Sequence, residues 1–425
     1  MMITDIRLHE VRIPLRFQFT QSNNPGSSTS LSMILAVQTA DGITGYGECC
    51  PRTYVTGERP EDVAHDIGKV AAGVQSFPLS TIEDLEACLN KWEKSGIGPA
   101  ARCAFELAWL DAFSQSAGRR LTELLGARLP DQLVYSLVLP LVSPTRLVGL
   151  LERIPFLQPA AIKIKIDNRQ AENLAKLRVI QDFFGADIPV RTDVNGGWTP
   201  DEAAAFIPQW LDSGVHSFEQ PLAPSDYGGL AGLTARFGMD ARIMADESLL
   251  DHASAETLIS SKSVNHFNLK ISKLGGIHAA YRIGQLAEAH GIPCQLGAHF
   301  GETSILSAAG ILLAGMCPGL TAMEGALGEY LLEADICDPV VQHGRDGVLI
   351  PGACFSGAGL CGSVLGSRLG LGGPLRALRA LRFLGTTWAL GHSGFGGPLR
   401  ALRALRFLGG PLRALRALRF LGGTT

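Results

Sequence analysis

The stretch AAIKIKIDN, Ala160–Asn168, decides the fold of this chain. Lys163 and Lys165 alternate with isoleucines, and a period of two is typical of a β-strand with one apolar and one charged face. A half-exposed edge strand with its lysines in water explains that pattern on its own. The alternative is a buried strand whose lysines serve chemistry, and the rest of the chain must distinguish the two.

Eight short apolar segments from about residue 131 onward are predicted strands, separated by helix-like stretches. They are LVYSLVL, AAIKIKI, IPVRTDV, VHSFEQ, ARIMADE, NHFNLKI, IPCQLGA and LTAMEG. Strands that alternate with helices indicate parallel βαβ units. Eight such units predict an α/β fold with a (β/α)8-type, TIM-like barrel. An open doubly wound sheet is disfavoured because no GxGxxG motif follows the first strand.

The chain divides by pattern into three main segments. Residues 1–128 carry strand patterns and then helical patterns, which predicts an N-terminal α+β capping domain, and residues 129–335 form the predicted barrel. In residues 356–425 the motif GPLRALRALRFL occurs three times without change. Verbatim copies are unlike diverged structural repeats. We therefore interpret residues 356–425 as a low-complexity tail, non-native or disordered, that contributes nothing to the chemistry.

Composition and charge exclude several classes of partner. Hydrophobic residues make up 46% and charged residues 18% of the 425 residues, as in globular proteins. The ten arginines after Asp346 leave residues 1–346 with a net charge of −13, which disfavours a nucleic-acid partner. The longest apolar run, Leu306–Cys317, is too short to cross a membrane. Nine cysteines without a CxxC pair, and a start without a signal-peptide core, favour a cytoplasmic location.

Polar residues close five successive predicted strands at a nearly constant interval. Lys165, Asp193, Glu219, Asp246 and Lys270 are separated by 28, 26, 27 and 24 residues, which is about one strand–helix–strand period. Each residue is therefore expected at the same height near the carboxyl end of its strand, where barrel enzymes carry their catalytic residues. A single carboxylate at such a point is a common turn residue, but five positions in one period require a shared function.

The three carboxylates among these residues predict a metal centre. Hard oxygen ligands without histidine or cysteine suit Mg²⁺, with Mn²⁺ as the alternative. A dication and burial both disfavour an ammonium group, so Lys165 and Lys270 can act as general bases. They come from the second and sixth strands and are expected on opposite sides of the ring. The predicted reaction is abstraction of a proton next to a carboxylate of a small substrate, with an enolate held by the metal.

The motifs KIK, DVNGGW, FEQPL, ADES and LKISKLGG, with FELAWLDAFSQSAGRRLTELLG before them, resemble the enolase superfamily in its muconate-lactonizing-enzyme subgroup. The resemblance covers residues 1 to about 350. It implies that Lys165 and Lys270 are the acid–base pair and that Lys163 depresses the pKa of Lys165. It implies that Asn195 and Glu247 lie next to the metal ligands and support them by hydrogen bonds. The metal ligands that it implies are Asp193, Glu219 and Asp246.

The same resemblance assigns roles to segments outside the barrel rim. It places two loops, at about residues 16–30 and 50–58, over the barrel mouth as lids that set specificity. Arg52 and Tyr54 in the second loop are then candidate substrate contacts. Residues 336–355 begin the family's return to the capping domain, and the family pattern is lost after them. The resemblance also implies a homo-oligomer.

Side chains near the last two predicted strands bear on the subgroup. Glu302 aligns with an acidic residue of muconate-lactonizing enzymes. His299 raises the mandelate-racemase alternative, in which a histidine on this strand is a base, but the sixth strand ends in Lys270 instead of the aspartate that orients such a base. Glu324 is expected to face the same mouth. Dipeptide epimerases often carry an Asp-x-Asp pair there to hold an ammonium, and Met323-Glu324-Gly325 lacks it.

The leading hypothesis is a muconate cycloisomerase-like isomerase that works through an Mg²⁺-stabilised enolate. Two alternatives stay open: a racemase or epimerase of N-acyl amino acids or dipeptides, and an acid-sugar dehydratase. Lactonisation needs one lysine and racemisation needs two, so the lysine pair permits both reactions. A non-enzymatic binding protein on the same fold is disfavoured because no expected ligand or lysine is missing.

Overall fold

A computed structural model of the protein describes residues 1–21, 24–74, 79–325, 327–355, 357–360, 363–364 and 388–389. The three arginine-rich repeats lie outside the described residues, so the prediction that they are non-native or disordered is not tested here.

The chain begins with three antiparallel strands, β1 (Ile3–Gln21), β2 (Asn24–Thr39) and β3 (Thr44–Cys49). The turn between β2 and β3 contains Gly42 at a φ of +84°, a conformation that glycine adopts without strain. Four helices follow: α1 (Pro60–Val74), α2 (Ile82–Lys94), α3 (Pro99–Ala117) and α4 (Leu121–Leu124).

Over about residues 16–30, the first predicted lid, the described residues are strand and not irregular loop, while the role of this segment as a lid stays a prediction. The backbones of β1 and β2 continue to pair there, as in Pro14↔Thr29 and Phe19↔Ser27. Glycine, serine and asparagine in this stretch resemble turn residues, but hydrogen bonding between two long strands overrides that local preference. The second predicted loop has no regular strand or helix over residues 50–58.

Helix α3 packs directly against the sheet because β3 carries two glycines. A Cβ at Gly45 would come within 2.2 Å of the Ala108 carbonyl oxygen, and one at Gly47 within 2.0 Å of the Ala104 carbonyl oxygen. Only glycine permits this approach. Helix α3 is buried over nearly its whole length, which explains why its apolar residues do not form a single stripe.

Seven parallel strands form the barrel sheet, in the spatial order in which they follow one another in the chain. After the short β4 (Leu133–Val134), which lies outside that sheet, they are β5 (Leu137–Leu139), β6 (Ile162–Lys165), β7 (Val190–Asp193), β8 (Ser217–Glu219), β9 (Arg242–Ala245), β10 (His266–Leu269) and β11 (Cys294–Leu296).

The eighth predicted strand is reduced to a single parallel bridge, Leu296↔Met323. On its other side, the Ser136 backbone N–H donates to the Met323 carbonyl at 2.9 Å, next to the start of β5. The segment around Met323 thus closes the ring between β11 and β5. The first predicted strand, LVYSLVL, is likewise shorter than expected, because its first two residues leave the barrel as β4.

Helices alternate with the barrel strands, as the strand–helix pattern predicts. They are α5 (Pro144–Leu151), α6 (Gln170–Phe184), α7 (Pro200–Asp212), α8 (Tyr227–Phe237), α9 (His252–Ser260), α10 (Ile271–Leu274), α11 (Ile277–Ala289), α12 (Ser304–Met316) and α13 (Gly328–Leu331). Among the described residues, no helix combines the length and apolar character needed to cross a membrane.

The segment after the barrel contacts earlier parts of the chain. It contains β12 (Cys337–Asp338), β13 (Val348–Leu349), a 3₁₀ turn, β14 (Ser363–Val364) and β15 (Trp388–Ala389). Strand β13 pairs with β4, and the Leu360 backbone N–H donates to Asp111 of α3 at 2.9 Å. Two short strands lie inside the segment interpreted as a non-native or disordered tail: β14 pairs with β12, and β15 pairs with β1.

Strand β6 settles the question raised by its alternation. All four of its residues are buried, and it lies between β5 and β7 in the sheet, so it is not an edge strand. The isoleucines face the surrounding helices, as strand alternation requires, and the lysines lie on the opposite face, inside the barrel.

Candidate active site

The carboxyl ends of the barrel strands bring the five evenly spaced residues to one level. Lys165 pairs in register with Asp193, and Asp193 pairs in turn with Glu219. Asp246 directly follows β9, and Lys270 directly follows β10. The spacing along the chain therefore corresponds to a shared height at one end of the barrel.

Lys165 is held between Asp193 and Asn195. Its ammonium donates to Asp193 Oδ2 at 2.6 Å and to Asn195 Oδ1 at 2.9 Å. Asn195 donates in turn from Nδ2 to Glu247 Oε1 at 3.0 Å. Asn195 has a φ of +50°, a left-handed conformation that asparagine tolerates better than most residues. This turn after β7 places the amide where it links Lys165 to Glu247.

Lys163, two residues earlier on the same face, lies among carboxylates. Its ammonium is 3.1 Å from Glu219 Oε2, 3.6 Å from Asp193 Oδ2 and 2.5 Å from Glu324 Oε2. Burial disfavours the charged form of Lys163, but the attraction of Glu219 and Glu324 outweighs burial and raises its pKa. Lys163 therefore stays charged beside these carboxylates.

Lys270 and Lys273 share the carboxylate of Asp246. Lys270 Nζ lies 2.5 Å from Asp246 Oδ2, and Lys273 Nζ lies 2.8 Å from Asp246 Oδ1. Burial opposes ionisation of Asp246, but the two ammonium groups outweigh it and hold the pKa of Asp246 well below its usual range. Burial lowers the pKa of Lys270, but the nearby carboxylates, Asp246 above all, raise it by more. The pKa of Lys270 therefore lies well above its usual value.

Glu219 is enclosed by hydrogen-bond donors. Besides Lys163, Asn268 Nδ2 donates to Oε1 at 3.0 Å and Gln295 Nε2 donates to Oε2 at 3.0 Å. Burial raises the pKa of Glu219 to about 8, although Lys163 lowers it. These contacts fix the orientation of the carboxylate at the centre of the strand arc.

The donor chemistry of Asp193, Glu219 and Asp246 fits a divalent cation. All three are buried carboxylates at the ends of neighbouring strands, and hard oxygens are the ligands that Mg²⁺ prefers. In the structure, their oxygens accept hydrogen bonds from lysine ammonium groups. Within the described part of the chain, no three acidic, histidine or cysteine side chains lie close enough together to enclose a metal ion. A cation at this site would replace the ammonium groups as the partner of these carboxylates.

One cavity joins these polar residues to an apolar wall. Lys163, Lys165, Lys270, Asn195 and Glu247 line its polar side. Its apolar side includes residues from the region of α5 and from the segment around α13, namely Leu150, Ile154, Leu157, Leu327, Tyr330 and Leu331. A ligand here would meet charge at one end and hydrocarbon at the other, as in many small-molecule sites.

The predicted substrate contacts are placed unequally. Arg52, Tyr54, His299 and Glu324 line the cavity, whereas Glu302 is not among its lining residues. Glu302 instead accepts a hydrogen bond from the His299 backbone N–H at 2.5 Å, and burial raises its pKa to about 8.

The charged groups of two of these residues, Arg52 and Glu324, already have hydrogen-bond partners within the protein. Arg52 is buried and donates to the carbonyls of Leu31 and Phe300 at 2.7 and 3.0 Å, so it holds the loop after β11 against β2. Glu324 accepts from Arg191 at 2.8 Å in addition to its contact with Lys163. Both residues therefore shape the cavity through protein contacts.

Several polar residues at the site escape the sequence analysis. Strand alternation could have identified three of them, because Arg191, Asn268 and Gln295 lie on barrel strands and face inward. Lys273 lies in the motif LKISKLGG, one helical turn after Lys270. Gln220, in FEQPL, has a φ of +40°, and its Oε1 accepts from the Asp246 backbone N–H at 3.0 Å. No local signal distinguishes Gln220 from an ordinary turn residue.

Two family models match the chain. The model described as Mandelate racemase / muconate lactonizing enzyme, N-terminal domain, matches residues 3–126. The model described as Enolase C-terminal domain-like matches residues 157–360. Together they cover most of the described chain.

Curated relatives with related sequences act on amino-acid derivatives. The chain is 31% identical over 308 residues to a hydrophobic dipeptide epimerase of Enterococcus faecalis, covering 72% of this chain and 84% of the relative. It is 27% identical over 332 residues to an N-succinyl-L-Arg/Lys racemase of Bacillus cereus, covering 76% of this chain and 87% of the relative.

Solved structures share the fold. A dipeptide epimerase from E. faecalis, in complex with Mg and the dipeptide L-Leu-L-Tyr, superposes with a TM-score of 0.77 at 28% identity, covering 85% of this chain and 99% of that chain. A 2-chloromuconate cycloisomerase from Rhodococcus opacus superposes with a TM-score of 0.74 at 25% identity, covering 85% of this chain and 96% of that chain.

Proposed function

The chain belongs to the mandelate racemase/muconate lactonizing enzyme family of the enolase superfamily, and on that basis we propose that it is an Mg²⁺-dependent racemase or epimerase of N-acyl amino acids or dipeptides. The family membership makes it an isomerase-type enzyme. The curated relatives favour this activity over the muconate cycloisomerase that leads the sequence-based hypotheses. The finer assignment of substrate rests on the site.

The observation that carries the proposal is the placement of two lysines across one cavity. Lys165 ends β6 and Lys270 follows β10, and these strands are separated by three others in a ring closed by the segment around Met323. In an eight-membered ring they lie opposite each other, and both line the cavity. A substrate carbon between them presents one face to each lysine. Proton transfer on both faces is what inversion of a stereocentre requires.

In the proposed reaction one lysine acts as an amine and the other as an ammonium. The amine nitrogen takes the proton from Cα, the C–H electron pair stays on the substrate as a carbanion next to the carboxylate, and the opposite ammonium returns a proton to the other face. The roles exchange for the reverse direction. Asn195 Oδ1 accepts a hydrogen bond from Lys165 Nζ and thereby orients the Lys165 nitrogen.

We assign Asp193, Glu219 and Asp246 as the residues that would hold the metal. Mg²⁺, when bound, supplies electrostatic stabilisation of the negative charge that develops on the substrate carboxylate. The donor set and its burial support this assignment. Asn268, Gln295 and Gln220 support it by hydrogen bonds that orient Glu219 and the Asp246 backbone.

Hydrogen–deuterium exchange tests the proposed activity. The enzyme is incubated with Mg²⁺ in D₂O and single enantiomers of N-acetyl amino acids, dipeptides, acid sugars or cis,cis-muconate, and NMR and polarimetry follow the products. We expect deuterium at Cα with loss of optical rotation for the amino-acid derivatives. The double variant K165A/K270A should lose this exchange, while K262A, which removes an exposed lysine, should retain it. A lactone from muconate without exchange of any amino-acid derivative would establish the cycloisomerase instead.

A further inference from the structure

His299 occupies a buried position in the wall of the cavity, on the loop between β11 and α12. Only 4% of its surface is exposed. Its Nδ1 lies 3.1 Å from the Cys50 backbone carbonyl, and its backbone N–H donates to Glu302 at 2.5 Å. The contact with Cys50 therefore holds the ring, and the contact with Glu302 holds the backbone that carries it.

The contact with Cys50 determines which ring nitrogen carries the proton. A carbonyl oxygen only accepts hydrogen bonds, so Nδ1 must be the donor. Burial lowers the pKa of His299 well below its usual range, and the nearby positive charges of Lys270 and Arg52 act in the same direction. The ring is neutral, and its second nitrogen, Nε2, carries a lone pair and can only accept.

That acceptor is buried and lacks a hydrogen-bond partner among the described residues. Buried polar atoms are nearly always satisfied, so an unsatisfied one in a cavity wall indicates a contact completed by a ligand. Two other acceptors that line the same cavity are already engaged: Asn195 Oδ1 accepts from Lys165, and Glu324 accepts from Arg191 and Lys163. His299 also lies close enough to Lys270 for that ammonium to influence its pKa.

We propose that His299 Nε2 accepts a hydrogen bond from the amide N–H attached to the substrate Cα. This inference rests on the proposed function and assigns to His299 the recognition of the acylated nitrogen that its N-acyl amino acid and dipeptide substrates share. A 2-hydroxy acid ester or a muconate has no hydrogen at the corresponding position and leaves Nε2 unsatisfied. A general-base role for this histidine is not needed, because the lysine pair supplies both proton-transfer groups.

A matched pair of ligands tests the contact without requiring turnover. N-acetyl-L-leucine and its ester analogue, (S)-2-acetoxy-4-methylpentanoate, differ only in N–H against O. Calorimetry in the presence of Mg²⁺ measures the affinity of wild type and variants for each. We expect wild type to prefer the amide by about tenfold, as the loss of one hydrogen bond to a buried acceptor predicts. In H299L this ratio should fall to near one, and H299Q, whose side-chain oxygen also accepts, should restore part of it.

The outcomes separate this contact from the activity itself. Equal affinity of wild type for both ligands, no binding of either, or an unchanged ratio in H299L would overturn the contact. Deuterium exchange at Cα of N-acetyl-leucine, measured on the same wild-type sample, reports on the proposed function independently. Exchange without a preference for the amide would support the proposed racemase activity and contradict the role of His299. A preference for the amide without exchange would support the contact of His299 and contradict the racemase activity. Thermal unfolding of H299L confirms that the variant is folded.

Discussion

The Lys163 ammonium lies 2.5 Å from one carboxylate oxygen of Glu324, and the other oxygen accepts a hydrogen bond from Arg191 at 2.8 Å. Glu324 and Lys163 are buried. Removing one member of a buried ion pair leaves charge uncompensated, so we expect E324Q to lower the free energy of unfolding by about 3 kcal/mol. Urea denaturation measures the change, with E333Q as an exposed control. An E324Q protein as stable as wild type would contradict the importance of this pairing.

The same pairing predicts a preference among acylated substrates. Because two cations already occupy Glu324, a third cation from a free amino terminus gains little there. Burial of that ammonium without a carboxylate partner costs about 1.4 kcal/mol or more, so we expect kcat/KM for N-acetyl-L-leucine to exceed that for L-alanyl-L-leucine by about tenfold. Polarimetry on both substrates measures the ratio. A clear preference for the dipeptide would show that its ammonium binds to another carboxylate of the cavity.

Metal binding should be visible as stabilisation. The carboxylates of Asp193, Glu219 and Asp246 accept hydrogen bonds from lysine ammonium groups and are the proposed ligands of Mg²⁺. A metal ion that binds only the folded chain raises the unfolding temperature by mass action. Thermal unfolding at increasing Mg²⁺ concentration should therefore show a rising midpoint that EDTA reverses. We expect D246N to lose this response and D240N, which changes an exposed side chain, to keep it. A midpoint unaffected by Mg²⁺ in wild type would argue against the assigned ligands.

Glu302 predicts a pH dependence of stability. Burial raises its pKa from 4.5 to about 8 in the folded chain. A carboxyl group with a raised pKa stabilises the fold fully below about pH 4.5, and this contribution is lost as the pH rises towards 8. Between these values we expect wild type to lose up to about 1.4 kcal/mol per pH unit relative to E302Q. Urea denaturation from pH 5 to 8 measures both slopes, with E256Q as an exposed control. Parallel slopes for wild type and E302Q would contradict the raised pKa.

Much of the barrel follows from the sequence because its signal is periodic. Lys165, Asp193, Glu219, Asp246 and Lys270 recur at nearly one strand–helix–strand interval, and parallel strands bring equal chain positions to equal heights. The burial of strand β6 follows from that arrangement. The same alternation, carried further into each strand, could also have identified Asn268 and Gln295, the inward-facing partners of Glu219.

Other features depend on contacts between distant segments, which local patterns do not encode. The residues expected to form a loop at 16–30 extend the hairpin, because pairing between β1 and β2 outweighs their turn-like composition. Arg52 binds the carbonyl of Phe300, and His299 binds that of Cys50, across about 250 residues of chain. These contacts decide which cavity groups remain for a substrate, and so the choice of substrate is the least predictable property from sequence.

The central claim, that Lys165 and Lys270 serve opposite faces of one carbon, is tested most directly by exchange of separate enantiomers. K165A and K270A are each incubated with Mg²⁺ in D₂O and with N-acetyl-L-leucine or N-acetyl-D-leucine, and NMR follows the α-proton. Each variant keeps one lysine, which can exchange the proton of the enantiomer that faces it but cannot invert the centre. We predict that K165A exchanges only one enantiomer, that K270A exchanges only the other, and that neither variant racemises. Exchange of both enantiomers by either variant, or of neither enantiomer by both, would contradict the two-lysine account.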